Sequence, residues 1–179
     1  ALSESKHIGN LKSLNLMNNK IQNKGMLILS ESAAFAGLRS LNVEDTGVTA
    51  IGLLALARSK SVTALEELSL SRNDLGDKGI FYLTESENFS NLKLLRIPDT
   101  FMGDTGFQAF VSCGNFSQLE ELMANGNVVA NSGLDTLTTS SHLPKLKRLD
   151  MRRNKFLIDQ GFLALLDSPR IKNLTSFRF

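Results

Sequence analysis

A leucine pattern, Leu-x-x-Leu-x-Leu, returns along this chain every 27 residues, and that period constrains the fold more than any other feature. Segments begin at Leu11, Leu38, Leu65, Leu92, Leu119 and Leu146, and a seventh begins at Leu174 after one extra residue. The fourth residue of each is Leu14, Leu41, Leu68, Leu95, Leu122, Leu149 and Phe177. The sixth is Leu16, Val43, Leu70, Ile97, Ala124, Met151 and Phe179. The ninth is Asn19, Thr46, Asn73, Thr100, Asn127 and Asn154, and a glycine follows at 25, 52, 79, 106, 133 and 161. A period of this length marks stacked units, none of which can bury its apolar face alone.

Within a unit the apolar period changes. Residues four and six point one way and residues three, five and seven the other, as a strand requires. After the glycine the spacing becomes helical, as in Ile51, Leu54, Leu56 and Ala57. The asparagine or threonine at the ninth position stands where the strand ends, and its side chain can serve backbone groups that no ladder satisfies. Stacking places these residues in a row, each bridging to its neighbour. Asn23, Asp77, Asp104, Asn131 and Asp159 read as N-caps, with Thr49 standing in where the second unit has Ala50. The glycine just after the cap is expected to admit close packing against the next backbone. Strand, helix and strand in series imply parallel pairing with right-handed crossovers. Strands stack about 4.8 Å apart while helices are about 10 Å wide, so the two layers bend with the strands inside.

These residues resemble leucine-rich repeat proteins, and LSLSRNDLGDKGIFYL most resembles the ribonuclease-inhibitor-like subclass. The resemblance runs from Leu2 to Phe179. It implies an α/β fold: a right-handed curved solenoid with a parallel β-sheet on the concave face and α-helices on the convex face. The expected organisation is one leucine-rich repeat domain over 1–179, with six full repeats starting at 11, 38, 65, 92, 119 and 146 and a partial repeat at each end. The nearly uniform 27-residue unit and the single cysteine depart from the mammalian inhibitor, so ribonuclease inhibition is not carried over. The extra residue between Phe156 and Gly161 is expected to bulge in a loop without altering the fold.

Composition narrows the classes further. With 42% hydrophobic and 21% charged residues the chain is globular, and a net charge of +2 argues against binding driven by nucleic-acid phosphates. No apolar run reaches the ~18 residues of a membrane span. Cys113, the single cysteine, has no internal disulfide partner and fits a reducing compartment. The expected location is cytoplasmic, with delivery into a host cell as a bacterial effector the alternative. LSES at 2–5 matches LSES at 29–32 and LTES at 83–86, so the chain reads as starting within a helix. Neither end shows a polar cap, which suggests a piece of a longer array with ends open to end-to-end association.

Little here supports catalysis. His7 and His142 are the only histidines; Cys113 with His142 lacks the orienting partner and pocket a nucleophile needs. No His/Cys cluster has metal spacing, and no cofactor is expected. GDKG at 76–79 and GDTG at 103–106 mimic nucleic-acid clamps, but the repeat explains both. Three N-glycosylation sequons, at Asn88, Asn115 and Asn173, match the number chance allows. The concave sheet remains. Its C-terminal half carries Leu94 and Met123 among Arg96, Arg148, Asp150 and Arg152, an apolar centre with an arginine-rich rim. Arg148 and Glu121 are neighbours that can neutralise each other, and an exposed sheet also needs charges for solubility. The expected role is a non-enzymatic scaffold binding a protein partner through Leu94, Arg96, Met123, Arg148, Asp150 and Arg152. Two alternatives are a regulator of a small GTPase, which the resemblance allows, and a self-assembling structural array.

Overall fold

A computed structural model describes residues 8–179 of the chain. The reading that LSES at 2–5 continues a helix, and the position of His7, lie outside the described residues. Seven three-residue strands form one sheet in chain order: β1 (Ser13–Asn15), β2 (Ser40–Asn42), β3 (Glu67–Ser69), β4 (Leu94–Arg96), β5 (Glu121–Met123), β6 (Arg148–Asp150) and β7 (Ser176–Arg178). Every neighbouring pair is parallel and in register, so Leu14, Leu41, Leu68, Leu95, Leu122, Leu149 and Phe177 form one row. Six helices alternate with the strands: α1 (Gln22–Glu31), α2 (Ala50–Ala57), α3 (Gly76–Thr84), α4 (Asp104–Ser112), α5 (Asn131–Thr139) and α6 (Asp159–Leu166). The extra residue of the sixth unit is absorbed before α6, and β6 and β7 still pair in register.

The core lies between the two layers. Rows such as Leu41, Leu68, Leu95 and Leu122 from the strands meet Leu56, Leu83, Phe110 and Leu137 from the helices. Phe35, Phe89 and Phe116 fill the far end of each unit, and Phe116 packs on Phe110 with ring centroids 4.4 Å apart.

Three ladders of polar side chains cross between units. The first is the asparagine row. The Asn73 side-chain oxygen accepts from the N–H groups of Thr46 (3.3 Å) and Val48 (2.9 Å), while its amide donates to the carbonyls of Val43, Leu70 and Ser71. Asn127 does the same for Thr100 and Met102, and Asn154 accepts from Val129. The Thr46 and Thr100 hydroxyls donate within their own unit, to Val43 and Ile97, and also reach the side-chain oxygens of Asn73 and Asn127. Residues at this position are buried from Thr46 onward, which is why the backbone around them depends on side-chain partners.

Unit length is nearly uniform, yet loop conformation alternates over the first four units. Every unit leaves its strand through a left-handed residue: Asn18, Asp45, Arg72, Asp99, Gly126 and Arg153. Beyond that, the first and third units place a second left-handed residue at Gln22 and Gly76, just inside the helix. The second and fourth, which carry threonine at the ninth position, place it earlier, at Gly47 and Phe101.

The second ladder corrects the expected helix caps. Asn23, Asp77, Asp104, Asn131 and Asp159 do not cap their own helices; the N-cap positions are Ile21, Leu75, Gly103, Ala130 and Ile158, none with a side-chain bond. Four of these side chains cap the next helix along instead. Asn23 accepts from the N–H groups of Thr49 and Gly52, Asp77 from Gly103 (2.7 Å), Asp104 from Ala130 and Gly133, and Asn131 from Ile158. The starts of α2, α4, α5 and α6 thus find acceptors for their orphan donors in the preceding unit. Thr49 does cap α2, accepting from Ile51. The glycines at 52, 106, 133 and 161 follow from the same contact: a Cβ at Gly106 would lie 2.5 Å from Asp77 Oδ1.

The third ladder closes the helix C-termini. Ser59, Ser86, Ser140 and Ser168 donate to the carbonyls of Ser30, Ala57, Val111 and Thr138 in the unit before. Cys113 occupies the same register, its thiol donating to Thr84 (3.1 Å) and accepting from Asn115 N–H. The cysteine is therefore a structural replacement for a serine. Cys113→Ser is expected to leave stability within about 1 kcal/mol, the size of one hydrogen bond; urea denaturation with a loss above 2 kcal/mol, twice that size, would show that the thiol has another role.

Candidate concave binding face

Strand alternation sends the third and fifth residue of each unit to the concave side, and in-register pairing turns them into two rows. One reads Ser13, Ser40, Glu67, Leu94, Glu121, Arg148, Ser176; the other reads Asn15, Asn42, Ser69, Arg96, Met123, Asp150, Arg178. All six residues singled out from the sequence lie on β4, β5 and β6 or immediately after them. Their environments differ sharply.

Arg148 is committed to Glu121 on the adjacent strand. Hydrogen bonding to Arg148 holds the Glu121 carboxyl below its ordinary value, and the same bond raises the guanidinium. Arg152 turns back onto Asp150, two residues earlier, through Nη2–Oδ2 at 2.6 Å and Nε–Oδ1 at 3.0 Å. Asp150 is only 3% exposed. Burial pushes its carboxyl up, but the Arg152 hydrogen bonds and charge outweigh that and keep it below the usual range. Arg178 approaches the same carboxylate at 3.9 Å. Leu94 is only 9% exposed although it lies in the concave row, apart from the interior core.

Arg96 and Met123 are different. Arg96 is exposed on β4, and among the described residues no carboxylate lies within ion-pair distance of it. It borders a hollow of about 260 Å³ floored by Ser40, Asn42, Glu67 and Ser69. Glu67 accepts from the Ser40 hydroxyl at 3.0 Å. The sequence reading passed over this polar hollow. A signal for it exists: the cross-strand neighbours of Glu67 are Ser40 and Leu94, so no opposite charge flanks it.

Outside the concave face the charges form surface pairs. Glu66 joins Arg39 (2.9 Å) and Lys93 (2.6 Å), Glu120 joins Lys147, and Arg153 reaches Asp99 across Gly126. Exposed pairs of this kind are screened by solvent and add little to stability. Among the described residues no group of three His, Cys, Asp or Glu could hold a metal ion, and no helix is long and apolar enough to cross a membrane.

Comparison with known proteins agrees with this architecture. A leucine-rich repeat family model matches residues 10–30 and 63–83, the first and third units, which share the asparagine-type loop. A search of curated protein sequences gives no match. Among solved structures, a crystal structure of an internalin from Listeria monocytogenes superposes with a TM-score of 0.61 at 20% identity. The alignment covers 94% of this chain and 48% of the internalin chain, so the chain spans about half the length of that structure. At that identity the likeness concerns the fold. Repeat spacing, in-register parallel strands and cross-unit asparagines converge on one conclusion: the chain folds as a curved leucine-rich repeat solenoid, two units of which match the family model.

Proposed function

We propose that the chain is a non-enzymatic recognition scaffold that holds a protein partner against its concave sheet. The centre of the contact is Arg96 with Met123, and Leu94, Arg148, Asp150 and Arg152 form its border. The observation that carries this reading is the contrast between arginines. Arg148 and Arg152 already have carboxylate partners, whereas Arg96 presents its guanidinium from a rigid strand beside an open hollow. Arginine, with tryptophan and tyrosine, is enriched among the central residues that dominate protein contacts. A preformed surface also loses little ordering entropy on binding. The hollow is open and polar, unlike the enclosed apolar cavities that hold metabolites. The compartment we propose is a reducing one, the cytoplasm of the producing cell or of a host cell, because Cys113 serves as an unoxidised ladder member.

The test begins with capture of a partner on the immobilised chain, followed by titration calorimetry. Arg96→Ala is expected to weaken binding by about 1.5–3 kcal/mol, roughly tenfold or more, as loss of a charged hydrogen bond does. Arg96, Met123 and Arg148 changed together to alanine should lower affinity further while the thermal midpoint holds. An unchanged dissociation constant in the triple variant would place the contact elsewhere.

A further inference from the structure

The convex layer carries a second surface that the fold does not require. Each helix turns two positions per turn away from the core. On α3, α4 and α5 the outermost of these are Lys78, Glu85, Thr105, Ser112, Ser132, Asp135 and Thr139. On α1 and α2 they include Leu27 (46% exposed), Ile28 (43%) and Ile51 (66%), and α6 likewise exposes Leu163 and Leu166. The sequence of α2, AIGLLALA, is apolar on every side, a composition ordinarily found in buried helices. Between α1 and α2 runs a groove of about 550 Å³, with Leu27, Ile51, Leu54 and Ala55 in its walls.

The groove is charged at one end. Arg58 and Lys60 line it there, and neither has a carboxylate within ion-pair distance among the described residues. Glu31 is the one acid in its walls, and Lys24 sits one turn before Leu27 and Ile28 on α1. Apolar walls with an excess of positive charge complement an amphipathic helix with leucine-like side chains on one face and carboxylates beside them.

We infer that the α1–α2 groove docks an acidic amphipathic helix of a protein partner, independently of the concave face. The probe is a synthetic helix-forming peptide with leucines at i, i+3, i+4 and i+7 and glutamates elsewhere, compared with the same peptide carrying lysines. The glutamate peptide should bind saturably, with amide shifts in a 15N spectrum confined to α1 and α2. Ile51→Glu should weaken it at least tenfold; Ile51 is solvent-facing, so the thermal midpoint should hold. Arg58→Glu with Lys60→Glu should reverse the preference toward the lysine peptide. Equal binding of both peptides, or shifts on the concave strands, would overturn the inference. Ile51-dependent sedimentation with phosphatidylcholine–phosphatidylserine vesicles, without peptide binding, would overturn it in favour of a membrane. Ile51-dependent self-association without peptide binding would overturn it in favour of a second copy.

Discussion

Replacing Asn73 with alanine is expected to lower stability by about 3–5 kcal/mol, an effect in the range that only buried polar networks and large cavities reach. The side chain serves five backbone groups: two N–H groups in the second unit, one carbonyl there and two carbonyls in its own unit. Asn73 is 2% exposed, so water cannot take over without opening the loop. Each orphaned buried donor costs about 1–3 kcal/mol. The junction is also the one most dependent on this residue. Ala50 stands where other units carry the side chain that caps the next helix, so the second and third units lack that connection. In a stack coupled through nearest neighbours, weakening one junction lets the two sides unfold separately. Urea denaturation of Asn73→Ala should therefore show a lower midpoint and a shallower transition. Asn19→Ala, at the exposed start of the same row, should cost less than about 1 kcal/mol. Similar losses in the two variants would mean that the row is decorative.

Gly106→Ala is expected to destabilise by about 1–3 kcal/mol, the usual cost of forcing a methyl into a packed site. The sign is the informative part. Glycine inside a helix is about 1 kcal/mol worse than alanine, so at an open helical position the substitution would stabilise. Here the new methyl would meet Asp77 Oδ1 at 2.5 Å and Asp77 Cα at 3.1 Å. The same oxygen accepts from Gly103 N–H at 2.7 Å, so it cannot withdraw without freeing that donor. A double-mutant cycle separates the terms. In an Asp77→Ala background most of the clash is gone, and Gly106→Ala should become nearly neutral. Additive losses would remove the steric account of the glycine row.

The strand layer is legible in the sequence because it depends on parity alone. Once Leu68 and Leu70 point inward, Glu67, Ser69 and Ser71 must face out, and a constant period brings the units into register. The helix starts are legible but misassigned. Asp104 has the composition of an N-cap, and local reasoning gives it to its own helix. In a stack, the first turn of the next helix lies just as close, and Ala130 and Gly133 receive the bond instead. Cys113 shows the same limit. Its phase matches Ser32, Ser59, Ser86 and Ser140, yet only the bond to Thr84 gives it a role. On the concave face, adjacency suggests the Arg148–Glu121 pair, which forms. The fold of Arg152 back onto Asp150 has no such signal, since both belong to one strand end. The apolar convex stripe is masked in sequence by the core-facing leucines of the same helices. Only exposure separates Ile51 from Leu53, which is fully buried.

The central claim is that side chains of one unit complete the backbone of the next, which makes the stack rigid and its inner face preformed. Scalar couplings across hydrogen bonds, measured by NMR on a deuterated, 13C,15N-labelled sample, test it most directly. The account expects correlations from the Val48 amide to the side-chain carbonyl of Asn73 and from Met102 to that of Asn127, at donor–acceptor distances of 2.9 and 3.0 Å. The sheet bond from Leu70 N–H to Arg96, at 2.8 Å, serves as the internal standard. If the sheet correlation is present while both asparagine correlations are missing, the units are not joined in this way and the account fails.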